Sequence, residues 1–233
     1  MTEMDRPGWG PLADSGARLL STTQTLTDDL RGPSALPGWT RAHVLTHVTQ
    51  AADSRTRLLL AAREGRVGRQ YPSEQARAEA IDAGAGRPAA VIRAELDRAI
   101  RECLDAIREH PARLWDAPAI WLGAGRRPVR GVVTSLRREL EYHHVDLGAG
   151  YQPADWPGDF VETELSRVVD QMDRRADAPP MTRTEPATLH VGTGPPVTVT
   201  GPPASLLAWL SGRSDGRDLD VAGSALPAIP PLA

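Results

Sequence analysis

The sequence predicts a mainly α protein, with an N-terminal four-helix bundle over residues 1–150 and a smaller α+β domain over residues 151–233. Three observations predict it. Four long amphipathic segments crowd into the first 150 residues, each with apolar positions recurring at helical spacing. A Pro- and Trp-bearing stretch, Tyr151 to Gly158, then marks a change of composition. Beyond it, short alternating segments appear that read as strands.

The first segment, Leu12 to Leu30, places Leu12, Leu19, Leu20, Leu26 and Leu30 among polar residues, and Gly32-Pro33 stops it. Thr40 is placed to cap the second helix, Arg41 to Glu64, with Trp39 and Val44 available as a hydrophobic staple. Its apolar side is Val44, Leu45, Val48, Ala51, Ala52, Leu58, Leu59 and Leu60, and it carries His43 and His47 four residues apart. Gly65 to Pro88 has few large apolar residues and reads as a long loop with one short helix, a candidate lid. Ala89 to His110 is the third long helix, Pro111 to Pro128 is irregular, and the fourth helix begins near Val129. The link between the second and third helices is the longest, so a simple up-and-down order is not assured. In the second domain, Phe160 to Ala176 reads as a helix, residues 187–192 and 197–200 as a hairpin, Ala204 to Leu210 as a short helix, and Leu219 to Val221 as an edge strand.

Composition sets the class. At 40% apolar and 24% charged residues, the chain has the balance of a soluble globular protein. No run approaches the roughly 18 apolar residues of a membrane span, and MTEMDRPGWG has neither the basic start nor the apolar stretch of a secretory signal, so the expectation is a cytoplasmic protein. A net charge of −3 gives no general attraction to nucleic acid, and neither nucleic acid nor membrane is an expected partner. All 27 basic residues are Arg, which reads as genomic bias. The single Cys103 excludes an internal disulfide and Cys-rich zinc sites, and its helical apolar context makes it a core thiol. No G-x-S-x-G elbow, phosphate-binding loop or H-E-x-x-H motif is present, and GTGPP at residues 192–196 lacks the third glycine of a dinucleotide fingerprint.

The chemistry concentrates in GVVTSLRRELEYHHVDLGAG, residues 131–150. On a helix, Glu139 and His143 share a face at i,i+4, and Asp146 falls on the same stripe, while Val132, Val133, Leu136 and Leu140 supply an apolar side. Glu and His one turn apart can reach a common metal ion from one helix. His47 on the second helix is the natural third ligand, giving a two-histidine, one-carboxylate set with a position left open. The competing reading of His43 and His47 is a pair of partly buried, hydrogen-bonded histidines.

LPGWTRAHVLTHVTQAAD, residues 36–53, and RRELEYHHVDLGAGY, residues 137–151, resemble the mycothiol-dependent maleylpyruvate isomerase family, within the DinB-like superfamily of metal-binding four-helix bundles. The resemblance extends over most of the chain and includes the GPPASLLAWLSGR segment of the small α+β C-terminal domain. It implies a metal triad of His47, Glu139 and His143, with zinc the carried-over ion, and mycothiol as thiol cofactor. His43 and His144 become near-site residues that contact cofactor or substrate or serve the structure. His144 is one step round the helix from His143, so the two cannot point at the same ion. Asp146 could accept an imidazole N–H and fix its tautomer. A C-terminal-domain Arg completes the family's site, and Arg213 stands in that place, with Arg217 the runner-up.

The resemblance further implies a thiolate that adds to the activated double bond of a cis-enedione such as maleylpyruvate, rotation about the resulting single bond, and loss of the thiol to give the trans isomer. Arg213 would hold a carboxylate or stabilise the enolate. The partners expected are a small thiol and a small electrophile, acting on a monomer or homodimer. A mycothiol S-transferase would use the same triad. A non-catalytic metal- or ligand-binding protein is the third alternative, and the intact triad argues against it.

Overall fold

The computed structural model describes residues 8–27, 30–185, 187–192, 197–223 and 225–232. It divides into two compact units, Met1–Gly150 and Tyr151–Ala233.

Four long helices build the first unit: α1 (Trp9–Thr25), α2 (Arg41–Arg63), α4 (Ala89–Arg108) and α5 (Gly131–Asp146). Each packs on two others. Helix α1 lies against α4 and α5, and α2 lies against the same pair, so the sequence neighbours α1 and α2 stand diagonally across the bundle. That arrangement brings α2 beside α5. The core between them is Leu12 and Leu19 from α1, Val44, Leu45 and Val48 from α2, Leu96, Ile100 and Cys103 from α4, and Leu136 and Leu140 from α5. Burial pushes the Cys103 thiol up to about 11, so it is an inert packing group.

The first helix ends earlier than its apolar spacing predicts. The Thr23 and Thr25 hydroxyls bond back to the carbonyls of Leu20 and Thr22, and the chain turns extended at Leu26. Leu30 then adopts a left-handed φ of 67°, tolerated because its side chain is fully buried.

The segment expected to be a long loop with one short helix holds a twelve-residue helix, α3 (Glu74–Ala85). Ser73 caps it by accepting from the Ala76 N–H, and its sequence is rich in strong helix formers. At its far end Arg31 donates to the carbonyls of Ala85, Gly86 and Arg87. Helix α3 packs on α2. Gly84 permits the close approach, because a Cβ there would lie 2.4 Å from Thr46 Cγ2. The stretch expected to be irregular after α4 contains a hairpin of β2 (Pro118–Trp121) and β3 (Gly125–Pro128), and β1 (Gly68–Arg69) pairs parallel with β2.

The second unit holds α6 (Gly158–Asp173), the strands β4 (Met181–Glu185), β5 (Thr188–Val191), β6 (Val197–Thr200) and β7 (Asp220–Ala222), and α7 (Pro203–Leu210). The strands form one antiparallel sheet in sequence order, with β7 at an edge as expected. The hairpin expected of β5 and β6 forms, although residues 193–196 of its link lie outside those described. Leu189, Val191, Val197 and Val199 alternate inward, and α6 packs on α7 and β4. The protein is therefore mainly α with a small α+β C-terminal part. No helix among the described residues is long and apolar enough to cross a membrane.

Candidate metal centre

Helices α2 and α5 bring His47, Glu139 and His143 together. One ligand atom from each falls within a cluster 4.8 Å across. His47 Nε2 is 2.9 Å from Glu139 Oε2, His143 Nε2 is 3.3 Å from the same oxygen, and the two imidazoles meet edge to face at 4.4 Å between centroids. A tetrahedral ion with bonds of 2.0–2.2 Å separates its ligands by about 3.4 Å. The two separations to Glu139 Oε2 fall about 0.1 and 0.5 Å short of that value, a gap that small side-chain shifts close, and two nitrogens with one oxygen suit a divalent ion such as zinc. The side chain of His47 is only 3% exposed, those of His143 and Glu139 15% and 22%. The centre is thus held in the bundle but reachable from solvent.

Each of the three is positioned from behind. Glu139 takes Arg55 on its other oxygen, Oε1, at 2.8 Å, and Arg55 also donates to Ser135 Oγ at 2.6 Å and to the Ala51 carbonyl at 2.9 Å. His143 Nδ1 faces the buried Asp146 carboxylate at 2.8 Å, the outer contact that orients a ligating imidazole. His47 Nδ1 accepts from Arg77 Nη2 of α3 at 3.0 Å. Guanidinium cannot accept, so the Nδ1 lone pair is used and the His47 proton sits on Nε2, facing Glu139. Trp39 packs its ring against His47 at 5.7 Å.

The electrostatics follow from these contacts. Burial pushes the His47 imidazole down to about 4, with His143 and Arg77 adding to the depression and Glu139 opposing it. Burial alone would raise the Glu139 carboxyl, but Arg55 first and then the imidazoles hold it well below the usual carboxylate range. Burial also works against a proton on His143, yet contacts with Asp146 and Glu139 prevail and raise it.

The other residues singled out from the sequence have the following surroundings. His43 closes the capping box of α2: its Nδ1 accepts from the Thr40 N–H while its own N–H is capped by Thr40 Oγ1, and its ring stacks on Trp39. His144 is buried on another face of α5, with Nε2 2.7 Å from Thr22 Oγ1 of α1. Arg213 belongs to the second unit, where it follows α7. Its N–H donates to the Ala208 carbonyl and its Nη1 to the Ser211 carbonyl. Arg217 is exposed and paired with Asp215.

Arg55, Ser135 and Arg77 are not among the residues the sequence singles out. Two of them carry a readable signal, since Arg55 is eight residues after His47 and Ser135 four before Glu139, both on the helical stripe of a ligand. Arg77 carries none, because the short helix expected in its segment has no apolar stripe to fix its bounds or its facing.

A four-helix bundle carrying two histidines and one carboxylate on adjacent helices defines a class: bundle proteins with a candidate mononuclear metal centre. Residues 12–148 match the family described as mycothiol maleylpyruvate isomerase N-terminal domain, and residues 155–228 match the MDMPI C-terminal domain. The chain belongs to the mycothiol maleylpyruvate isomerase family, a family of enzymes. Two solved structures align with it over 100% of both chains: the mycothiol-dependent maleylpyruvate isomerase, at TM-score 0.86 and 24% identity, and a mutant of that enzyme, at 0.88 and 22%. At these identities the likeness establishes the fold. No curated protein matches the sequence.

Proposed function

We propose that this protein is a metal-dependent isomerase that uses mycothiol to convert a cis-enedione such as maleylpyruvate into its trans isomer. The observation that carries the reading is the convergence of His47, Glu139 and His143 within 4.8 Å in a chain of this family. These residues would hold a divalent ion, zinc on the character of the donor set. When bound, the ion keeps a thiol deprotonated near neutral pH.

The chain's own groups do the rest. Arg55 keeps Glu139 ionised and fixed, Asp146 sets the ring of His143, and the partly exposed edge of the cluster admits small molecules. The thiolate adds to the activated carbon–carbon double bond, forming a C–S bond and an enolate. Rotation about the single bond follows, and re-formation of the double bond expels the thiolate, so no electrons or atoms are consumed. Arg213 is the residue for which the family likeness implies a hold on a carboxylate or on the enolate. The reading places the protein in the cytoplasm, with a small thiol and a small electrophile as its partners.

Zinc-loaded protein incubated with mycothiol and maleylpyruvate tests the reading. The expected result is thiol-dependent formation of the trans isomer, lost in His47→Ala together with metal retention while helical content by circular dichroism is kept. Absence of isomerisation by protein shown to hold metal would overturn it and favour a thiol transferase.

A further inference from the structure

We propose that Arg77 binds a carboxylate of the substrate, exchanging its bond to His47 for one to the substrate. The inference deepens the isomerase reading and rests on it for the identity of the site. Arg77 sits on α3, half-buried, with Nη2 3.0 Å from His47 Nδ1 and its guanidinium carbon 5.8 Å from the centre of the buried Tyr71 ring. Among the described residues it pairs with no carboxylate. An Arg beside a candidate active centre whose polar partner is a neutral imidazole is poised for an anion.

The hydrogen-bond inventory makes the exchange necessary. His47 faces Glu139 through Nε2 and Arg77 through Nδ1. To ligate through Nε2, the ring must offer that lone pair and carry its proton on Nδ1. Two donors would then face each other, so Nη2 must leave Nδ1 for another acceptor.

The charges say what that acceptor is. The triad brings one carboxylate, Glu139, and in direct contact with it stand a second, Asp146, and two guanidiniums, Arg55 and Arg77. Their formal charges cancel, so a divalent ion leaves the site with an excess of two positive charges. One thiolate neutralises one of them. A second anionic group would balance the other, and the freed guanidinium offers the paired donors that a carboxylate fits.

The test compares wild type, Arg77→Gln and Arg77→Lys, each loaded with zinc and checked for zinc content. Maleate, a dicarboxylate probe, is titrated calorimetrically alongside the uncharged diamide of the same acid. Arg77→Gln should retain zinc and lose about ten- to hundredfold in maleate affinity, the range for losing a hydrogen bond between charged partners. Arg77→Lys should fall between, and diamide binding should not change. In turnover, KM should rise while kcat changes little. Equal maleate affinity in wild type and Arg77→Gln, no maleate binding by wild type, or zinc loss confined to Arg77→Gln would each overturn the assignment. If the wild type does not isomerise maleylpyruvate but Arg77→Gln still loses maleate, the isomerase reading fails and the carboxylate site stands. If turnover is present and indifferent to Arg77→Gln, the reverse holds.

Discussion

Arg55 donates to Glu139 across the interface of α2 and α5 at 2.8 Å, occupying Oε1 while Oε2 faces the two imidazoles. One carboxylate therefore ties a fully buried guanidinium to the candidate metal position. Arg55→Met removes the only guanidinium on Oε1 among the described residues and leaves Glu139 charged within the bundle. An orphaned buried charge costs about 3–5 kcal/mol, and partial exposure of Glu139 sets the expectation at the low end, about 3 kcal/mol. Urea unfolding measures it. The double variant Arg55→Met with Glu139→Gln should regain most of the stability and none of the metal binding. A single variant as stable as wild type would show that the pair holds nothing together.

Asp146 acts one shell further out. Its carboxylate is 2.8 Å from His143 Nδ1 and almost fully buried. Asp146→Asn keeps the shape and removes the charge, so zinc affinity should fall about 10- to 100-fold while the fold persists. Competition with a chromogenic chelator reads the change. Unaltered affinity would mean that His143 is oriented by its helix alone.

Much of this centre is legible because it lies on two strongly patterned helices. Val44, Leu45 and Val48 fix which face of α2 is buried, Leu136 and Leu140 do the same for α5, and His47, Glu139 and His143 fall at the margins of those stripes. Helix α3 gives no such signal. Of its twelve residues only Ile81, Gly84 and Ala85 are buried, so the segment lacks an apolar stripe and its propensity is outweighed by its polarity. Arg77 is invisible with it. The β2–β3 hairpin is equally hidden, because β3 reads Gly-Arg-Arg-Pro and is exposed throughout, its pairing supplied by the partner strand.

The depressed His47 imidazole has a signature in the metal-free protein. Its folded value of about 4 lies below the ordinary 6.5, so the unfolded chain binds more protons between those limits. Stability from the neutral ring is full above about pH 6.5 and is lost as the pH falls toward 4. His143 has the opposite sign: its raised value stabilises fully below the ordinary 6.5 and loses that contribution as the pH rises through the folded value. Between pH 4 and 6.5 the His47 slope therefore stands alone among the two imidazoles. Unfolding free energy measured at closely spaced pH values in the absence of metal should fall across that window by a few kcal/mol, since one proton bound more tightly by a factor of ten is worth about 1.4 kcal/mol. His47→Gln should flatten the slope. The same slope in the variant would assign it to other groups.

Gly84 gives a test of how α3, and with it Arg77, is held over the centre. An Ala at a helix-interior Gly ordinarily stabilises by about 1 kcal/mol. Here the new methyl would lie 2.4 Å from Thr46 Cγ2 on α2 and 3.1 Å from Arg87 Nη2, and Thr46 is buried. Overpacking of this kind costs about 1–3 kcal/mol, so Gly84→Ala should be destabilising despite the better helix propensity. Thr46→Ser removes the clashing methyl and keeps the hydroxyl. In that background Gly84→Ala should change sign and stabilise, a coupling that unfolding of the two single variants and the double variant reads directly. Additive effects would mean that the two helices part freely, and the Arg77–His47 contact would then not be enforced by the packing of α3 on α2.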